Sequence, residues 1–343
     1  MKIKKLFIIR FLLFGGTIVS LFFVPWLLVR AWIMPLPDSI QGVLDEGIDY
    51  GLEGIIVYVD QNGKKPEFYA SGWSDRDAKI SADPHSLFKI ASINKLYDAV
   101  SIAKLVGRGE LSLDGTISIY FPELKDQIQY ADEITLRMLV QHRSGIPNYT
   151  DTPGFWTRPS TNFEEALELI KDVPPLFQPG TDYAYCNTNY LLLGKLIEKT
   201  SGQSTFAFFR KNILDPLGLK NTYASINDVN LDEVMGGYHK GYRPNLKAND
   251  QGMLASAEDV GIFLRALNEG TIFEGKEQEI YSSIYEYEHS GWVLGYQSFA
   301  EYHQDIDTVV IFFNNTTDND LMLWNLAEIL CGRIEKILRR QGI

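Results

Sequence analysis

Residues 92–95 read Ser-Ile-Asn-Lys. Three residues apart on a helix, Ser92 and Lys95 share a face. An amine can then lie beside a hydroxyl and help take its proton, the usual remedy for a serine that is a weak nucleophile alone. The same spacing recurs at Ser86/Lys89 and Ser101/Lys104. At about 100° per residue, Ser101 falls roughly 180° around a helix from Ser92, so only one of the two can face a cleft. Ser86, just ahead of an apolar run, reads as a helix N-cap. Spacing alone does not select a site.

Two further motifs do. Tyr185-Cys186-Asn187 is the only Tyr-x-Asn among the 18 tyrosines, about 90 residues downstream of Ser92. His289-Ser290-Gly291 follows about 100 residues later. The other His-x-Gly, His239-Lys240-Gly241, lies among Gly236, Gly237 and Pro244 and reads as a loop. His289 instead opens the aromatic and β-branched stretch Gly291–Tyr296, which suits a strand.

With these motifs on the page, the chain resembles the serine β-lactamase and penicillin-binding-protein-like superfamily, closest to its class C β-lactamase, D,D-peptidase and esterase branch. The resemblance runs from about residue 40 to the C-terminus and includes Asp114 after Gly109-Glu110-Leu111-Ser112-Leu113. It continues through His142-Arg143-Ser144-Gly145-Ile146-Pro147, Phe177-Gln178-Pro179-Gly180, Asp215-Pro216-Leu217-Gly218-Leu219 and Ala255-Ser256-Ala257-Glu258-Asp259. It implies Ser92 as nucleophile, with Lys95 and Tyr185 sharing the proton transfers and Asn187 holding Lys95 or a substrate amide. It also implies an oxyanion hole from the backbone N–H groups of Ser92 and Trp292, beside His289, Ser290 and Gly291. A tyrosine of ordinary pKa is a poor base unless a cation stabilises its phenolate, which Lys95 could supply. Where many β-lactamases of the superfamily carry Lys-Thr-Gly, this chain has His-Ser-Gly. The change removes a permanent charge for a substrate carboxylate and fits the peptidase and esterase members. The stretch between Gly252 and His289 is short for the family, which implies a more open groove.

Other chemistries find no support in the sequence. Ser-Asp-Asn, Gly-x-Ser-x-Gly, His-Glu-x-x-His and a phosphate-binding glycine loop are all missing. The five histidines are scattered, so neither a metal nor another cofactor is expected. His142 reads as a turn residue, and His85, His239 and His303 as surface. A disulfide framework is excluded by a count of two cysteines, Cys186 and Cys331, which read as free thiols. Cys186 lacks the His/Asn setting of a nucleophile.

The net charge of −12 includes five cations and no acid in residues 1–30, so the remainder is more acidic still. Such a body is repelled by nucleic acid and by anionic lipid, and no nucleic-acid role is read. Phe11–Val29 is uncharged and close to the ~20 residues needed to span a bilayer. Its bulky exit at Leu27–Trp32 does not resemble a signal-peptidase site. The expectation is one uncleaved transmembrane helix within residues 1–32, with the N-terminus cytoplasmic because four cations precede it. A short linker, 33–37, then leads to a periplasmic or extracellular hydrolase domain over 38–343.

The expected fold is α+β. Strands Gly54–Asp60 and Pro66–Ala70, around an Asn62-Gly63 turn, join strands after residue 289 in one antiparallel sheet built from both chain ends. Helices at 38–50 and from Leu323 onward flank it. A helical subdomain over about 95–275 is inserted, with the Ser92 helix at 88–107 and others at 163–173 and 190–201. The groove between the two parts is where a substrate would bind. The expected activity is an acyl-enzyme hydrolase acting on a small-molecule or peptide substrate: a cell-wall peptide, a D-amino-acid peptide, an ester or a β-lactam. The alternative is a tethered binding protein for cell-wall peptides that has lost turnover.

Overall fold

The computed structural model describes residues 2–341 apart from Asn62, 158–161 and Gln251. The apolar N-terminal run does not form one helix. Helix α1 (Lys2–Leu21) ends in a turn, and α2 (Trp26–Ile33) leaves at 79°. Pro25, which has no N–H to extend the ladder and biases its predecessor away from helix, sits at the break. Among the described residues no single helix is long and apolar enough to cross a membrane; only the bent pair Leu13–Leu21 with Trp26–Ile33 meets that test. Ala31 is fully buried against the body. The buried Arg333 donates to the carbonyls of Ala31, Met34 and Pro35 at 3.1, 2.9 and 2.8 Å, and to Glu46 at 2.8 Å. The segment expected as a short linker is therefore held to the body at its backbone.

Ser39 caps α3 (Ile40–Asp49), its hydroxyl accepting the Gly42 N–H at 3.1 Å. Strands β1 (Gly54–Gln61) and β2 (Glu67–Asp75) form the expected hairpin, followed by the short β3 (Ile80–Ser81). Asn62 of its turn lies outside the described residues; Gly63 adopts φ +74.

The Ser92 helix begins later than expected. Phe88–Lys89 pair with Leu254–Ala255 as a short antiparallel strand, Ala91–Ile93 form one 3-10 turn, and only then does α4 (Asn94–Gly107) start. Ser86 precedes a β-bridge from Leu87 to Val234, so it caps no helix. A short apolar run is ambiguous between strand and helix, and here tertiary pairing decides. α4 is buried on nearly every side, the mark of a central helix. α5 (Asn187–Ser201) and α6 (Ala257–Glu269) pack around it, and the helix expected over 163–173 is limited to Phe163–Glu168.

β4 (His289–Val293), β5 (Tyr296–His303) and β6 (Thr308–Asn314) complete the sheet, and α7 (Met322–Gln341) closes the chain. The order is β3–β2–β1–β6–β5–β4, antiparallel throughout, with β1 paired to β6 (Val57 opposite Phe312). Period-2 alternation splits the side chains between two cores. Ile55, Val57, Val59, Val310 and Phe312 pack under α3 and α7. Ile56, Tyr58, Val309, Ile311 and Phe313 face α4, α6 and the helical insertion. Gly261 of α6 permits that contact, since a Cβ there would lie 2.2 Å from the Tyr58 ring. His239, expected on a surface loop, is instead 3% exposed in a two-residue strand, its ring nitrogens bonded to Thr317 and Asn319.

Candidate active site

Ser92 lies in the 3-10 turn just ahead of α4, entered through Ala91 at φ +50, an unfavourable region for a residue with a Cβ. Gly291 of the edge strand β4 faces this turn. A Cβ there would stand 2.6 Å from the Ile90 carbonyl and 2.9 Å from the Ala91 Cβ. The glycine thus admits the turn itself.

The dispersed residues meet. Ser92 Oγ accepts from Tyr185 Oη at 2.7 Å and from Lys95 Nζ at 3.3 Å. Lys95 is 7% exposed and also donates to Asn187 Oδ1 at 2.9 Å. Asn187 is fixed in turn, its amide donating to Thr150 Oγ1 and its backbone N–H to Asn148 Oδ1, both at 3.0 Å. A hydroxyl contacted at once by an amine and a phenol can pass its proton to whichever is unprotonated, and the other can return one to a leaving group.

The edge strand supplies the opposite wall. Val293 and Tyr296 close a two-residue turn, so ladder alternation leaves the N–H groups of Trp292 and Ser290 on the open edge of β4. Trp292 meets Trp156 edge to face at 5.2 Å. A cleft of about 690 Å³ runs between the walls, lined by Ser92, Lys95, Tyr185, Asn187, Ser290 and Trp292 among others. A smaller cavity beside it adds Glu286, Glu288, Glu301 and Glu328 to Tyr185 and His289.

His289 does not present a charge. Burial, then the nearby Lys95 ammonium, pull its pKa down to about 4 against a hydrogen bond to the Ser290 carbonyl. Burial, joined by the charge of Glu288, raises Glu286. Asp98, one turn beyond Lys95, is pushed up to about 8 by burial, opposed by Lys95, and accepts from Asn94 Nδ2 at 3.1 Å.

His142 is the residue that sequence reasoning undervalued. It is 3% exposed and adopts φ +57. Its carbonyl accepts the Ala184 N–H and its Nδ1 the Cys186 N–H, each at 3.0 Å, while its ring stacks on Tyr185 at 4.5 Å. Three successive residues are gripped, with the phenol in the middle. Burial, then Lys95 and His289, lower its pKa to about 3, so it accepts from Cys186 in neutral form. The rings of Tyr185, His142, Tyr190, Tyr285 and His289 close a loop, with neighbouring centroids 4.5, 5.0, 5.8, 6.0 and 6.4 Å apart. Lys95 Nζ lies 5.0 and 5.2 Å from the Tyr185 and Tyr190 rings. Signals for His142 and Asp98 were present: the His-Arg-Ser-Gly turn, and helical spacing from Asn94 and Lys95.

Both cysteines are free and buried. Burial raises the Cys186 thiol, whose Sγ lies 3.3 Å from the Ile146 carbonyl. Among the described residues no group of three His, Cys, Asp or Glu side chains could hold a metal ion.

Known proteins resemble this chain in sequence and in fold. The chain is 28% identical over 240 residues to Protein flp of Staphylococcus aureus (strain MW2), covering 66% of this chain and 48% of that protein. It spans about half the length of the curated relatives it matches. D-amino acid amidase from Ochrobactrum anthropi SV3 superimposes with a TM-score of 0.78 at 22% identity, covering 88% of this chain and 98% of that one. The penicillin-binding protein from Bacillus halodurans gives 0.73 at 20%, covering 87% and 99%. The Beta-lactamase family model matches residues 39–283, the stretch that carries Ser92, Lys95, Tyr185 and Asn187. The chain belongs to the Beta-lactamase family.

Proposed function

We propose that this protein is a serine hydrolase that forms an acyl-enzyme on Ser92 and cleaves amides or esters of amino acids and short peptides. The observation that carries the reading is the double contact on Ser92 Oγ, from Tyr185 at 2.7 Å and Lys95 at 3.3 Å. Tyr185 and Lys95 together take the serine proton as Oγ attacks the carbonyl carbon. The N–H groups of Ser92 and Trp292 hold the resulting oxyanion; such a donor is worth about 10²–10³ in rate. The proton passes to the departing amine or alcohol, and water then releases the acyl group by the same steps.

Charge favours a neutral or cationic substrate. With His289 neutral and four carboxylates in the adjoining cavity, a free substrate carboxylate finds little beyond Lys95 to meet it. D-amino acid amides, the class named for the structural neighbour, fit this setting better than β-lactams.

The localisation belongs to the same proposal. α1 is free of charge only over Phe11–Leu21, so the attachment we propose draws on that apolar end together with α2. Lys2, Lys4 and Lys5 lie at its outer end, and Arg10 is within snorkelling reach of that end. The body then rests on the far, extracytoplasmic side, with Trp26 and Trp32 at the interface.

The test is fluorophosphonate labelling of the detergent-solubilised full chain, followed by turnover assays on D-phenylalaninamide, small esters and a penicillin. A label mapping to Ser92, lost in Ser92→Ala, with amide or ester turnover, is expected. Absence of any label on Ser92 would overturn the hydrolase reading. A label without turnover of any substrate would favour a silent binding protein.

A further inference from the structure

α7 is amphipathic, yet its exposed side is not uniformly polar. Glu328, Gly332, Lys336 and Arg340 follow one another in steps of four along α7, over a rise of about 18 Å. α2 lies alongside it, and Trp32 at its end, with Met34 and Leu36 beyond, forms a groove of about 580 Å³ against α7. One wall is apolar: Trp32, 73% exposed, Met34, 41% exposed, Leu36 and Ile329. The end toward the C-terminus carries Lys336 and Arg340. Neither cation has an ion-pair partner among the described residues, whereas their neighbour Arg339 is engaged by Asp305 and Glu335. What sets these two cations apart is their place at the head of an apolar trough.

Gly332 is a second, independent observation. Glycine inside a helix is less favourable than alanine. Packing does not demand it here, because a Cβ at Gly332 would meet nothing within 4 Å. The small residue keeps the floor of the groove open where the helix is otherwise covered. Glu328, at the end nearer the catalytic cleft, accepts from Trp324 Nε1 at 2.9 Å.

We propose that this groove is a phospholipid site, with Lys336 and Arg340 taking the phosphodiester and the Trp32–Ile329 wall taking the first methylenes of an acyl chain. The inference rests on the membrane attachment proposed above. α2 leaves α1 at 79°, and Arg333 locks α7 to the end of α2 and the segment after it. Phospholipid binding would thus fix the attitude of the whole catalytic body, whose α7 also lends Trp324 to the active-site cleft. Net repulsion of the acidic body from an anionic surface is no obstacle, because the groove engages a single phosphate locally.

The full chain in phosphatidylcholine nanodiscs would be exposed to phosphatidylglycerol bearing a photoreactive diazirine on one acyl chain. A phosphate-free diacylglycerol with the same probe provides the comparison. Crosslinks are expected on peptides from Trp32–Leu36 and from α7, with little from the diacylglycerol. Lys336→Gln with Arg340→Gln should shift the concentration dependence by roughly tenfold or more. Gly332→Leu should block labelling while leaving the thermal midpoint unchanged or raised. Fluorophosphonate reactivity of Ser92 serves as the folding control in every variant. Crosslinks confined to α1, equal labelling by both probes, or indifference to all three substitutions would overturn the site. Loss of the chain from membranes on alkaline washing would instead overturn the attachment beneath it.

Discussion

Helix α4 and its leading turn carry two serine–lysine pairs of identical spacing, and the molecule uses them in opposite ways. Ser92 and Lys95 meet in the cleft, where Lys95 is held by the neutral oxygen of Asn187. Ser101 is fully buried and donates back to the Tyr97 carbonyl at 2.9 Å. Lys104, 4% exposed, is clamped by Glu277 at 2.9 Å and the Ile272 carbonyl at 2.7 Å. Both lysines are buried, so burial does not distinguish them. The partner does. A carboxylate neutralises Lys104 and makes it a structural pin. The Asn187 amide and the neutral rings around Lys95 leave its charge free to act on Tyr185 and Ser92. Asp98, the nearest acid on α4, does not cancel that charge at neutral pH because burial keeps it protonated.

The sharpest way to break this contrast is to remove each amine. Lys95→Met should lower the acylation rate by about 10²–10⁴ with a small change in thermal midpoint. Lys104→Met should leave acylation of the folded protein intact and cost about 3–5 kcal/mol in a urea titration, because Glu277 is stranded in the core. If Lys104→Met abolished acylation without unfolding, the division of labour would fail.

A smaller effect is expected at the grip on Tyr185. His142→Asn tolerates the positive φ but loses the stacked ring. Acylation should slow by up to about a hundredfold as the phenol drifts, with KM little changed and the basic limb of the pH profile displaced. A variant that merely melts earlier, with an unaltered rate and pH profile per folded molecule, would reduce His142 to a packing residue.

The smallest effect concerns Asp98 and is read from stability. Its pKa rises from 3.8 unfolded to about 8 folded, so the native state binds more protons between those limits. Its contribution is therefore fully present below about pH 4 and lost as pH rises through about 8. The slope is at most about 1.4 kcal/mol per pH unit. Asp98→Asn should flatten that decline in denaturation curves taken from pH 4.5 to 8; an unchanged slope would mean that Asp98 is ionised and Lys95 is paired after all.

Much of the molecule was legible before any coordinates. The hairpin β1–β2, the strands after His289, the terminal helix and the sheet drawn from both ends followed from alternation, turn residues and amphipathic spacing. The meeting of Ser92, Lys95, Tyr185 and Asn187 was implied by the family resemblance that three ordered motifs carry. The start of α4 was misread because Phe88–Ile90 satisfies helix and strand patterns equally, and its partner, Leu254–Ala255, lies far along the chain. His239 was misread for a related reason. Three residues between glycines carry no periodicity, yet Tyr238 and His239 pair with Thr316–Thr317 and bury an imidazole.

What the amino-acid order determined by itself is the set of local choices: which segments are helix or strand, which hydroxyl has an amine one turn away, where charge is sparse. Those depend on interactions within a few residues, and their periods can be read directly. Only the tertiary structure decided that Glu277 clamps Lys104 while Asn187 holds Lys95, that His142 grips the backbone on both sides of Tyr185, and that Arg333 binds the N-terminal segment to the body. Each of these depends on partners brought together from distant parts of the chain, and no local spacing encodes the distance at which they meet.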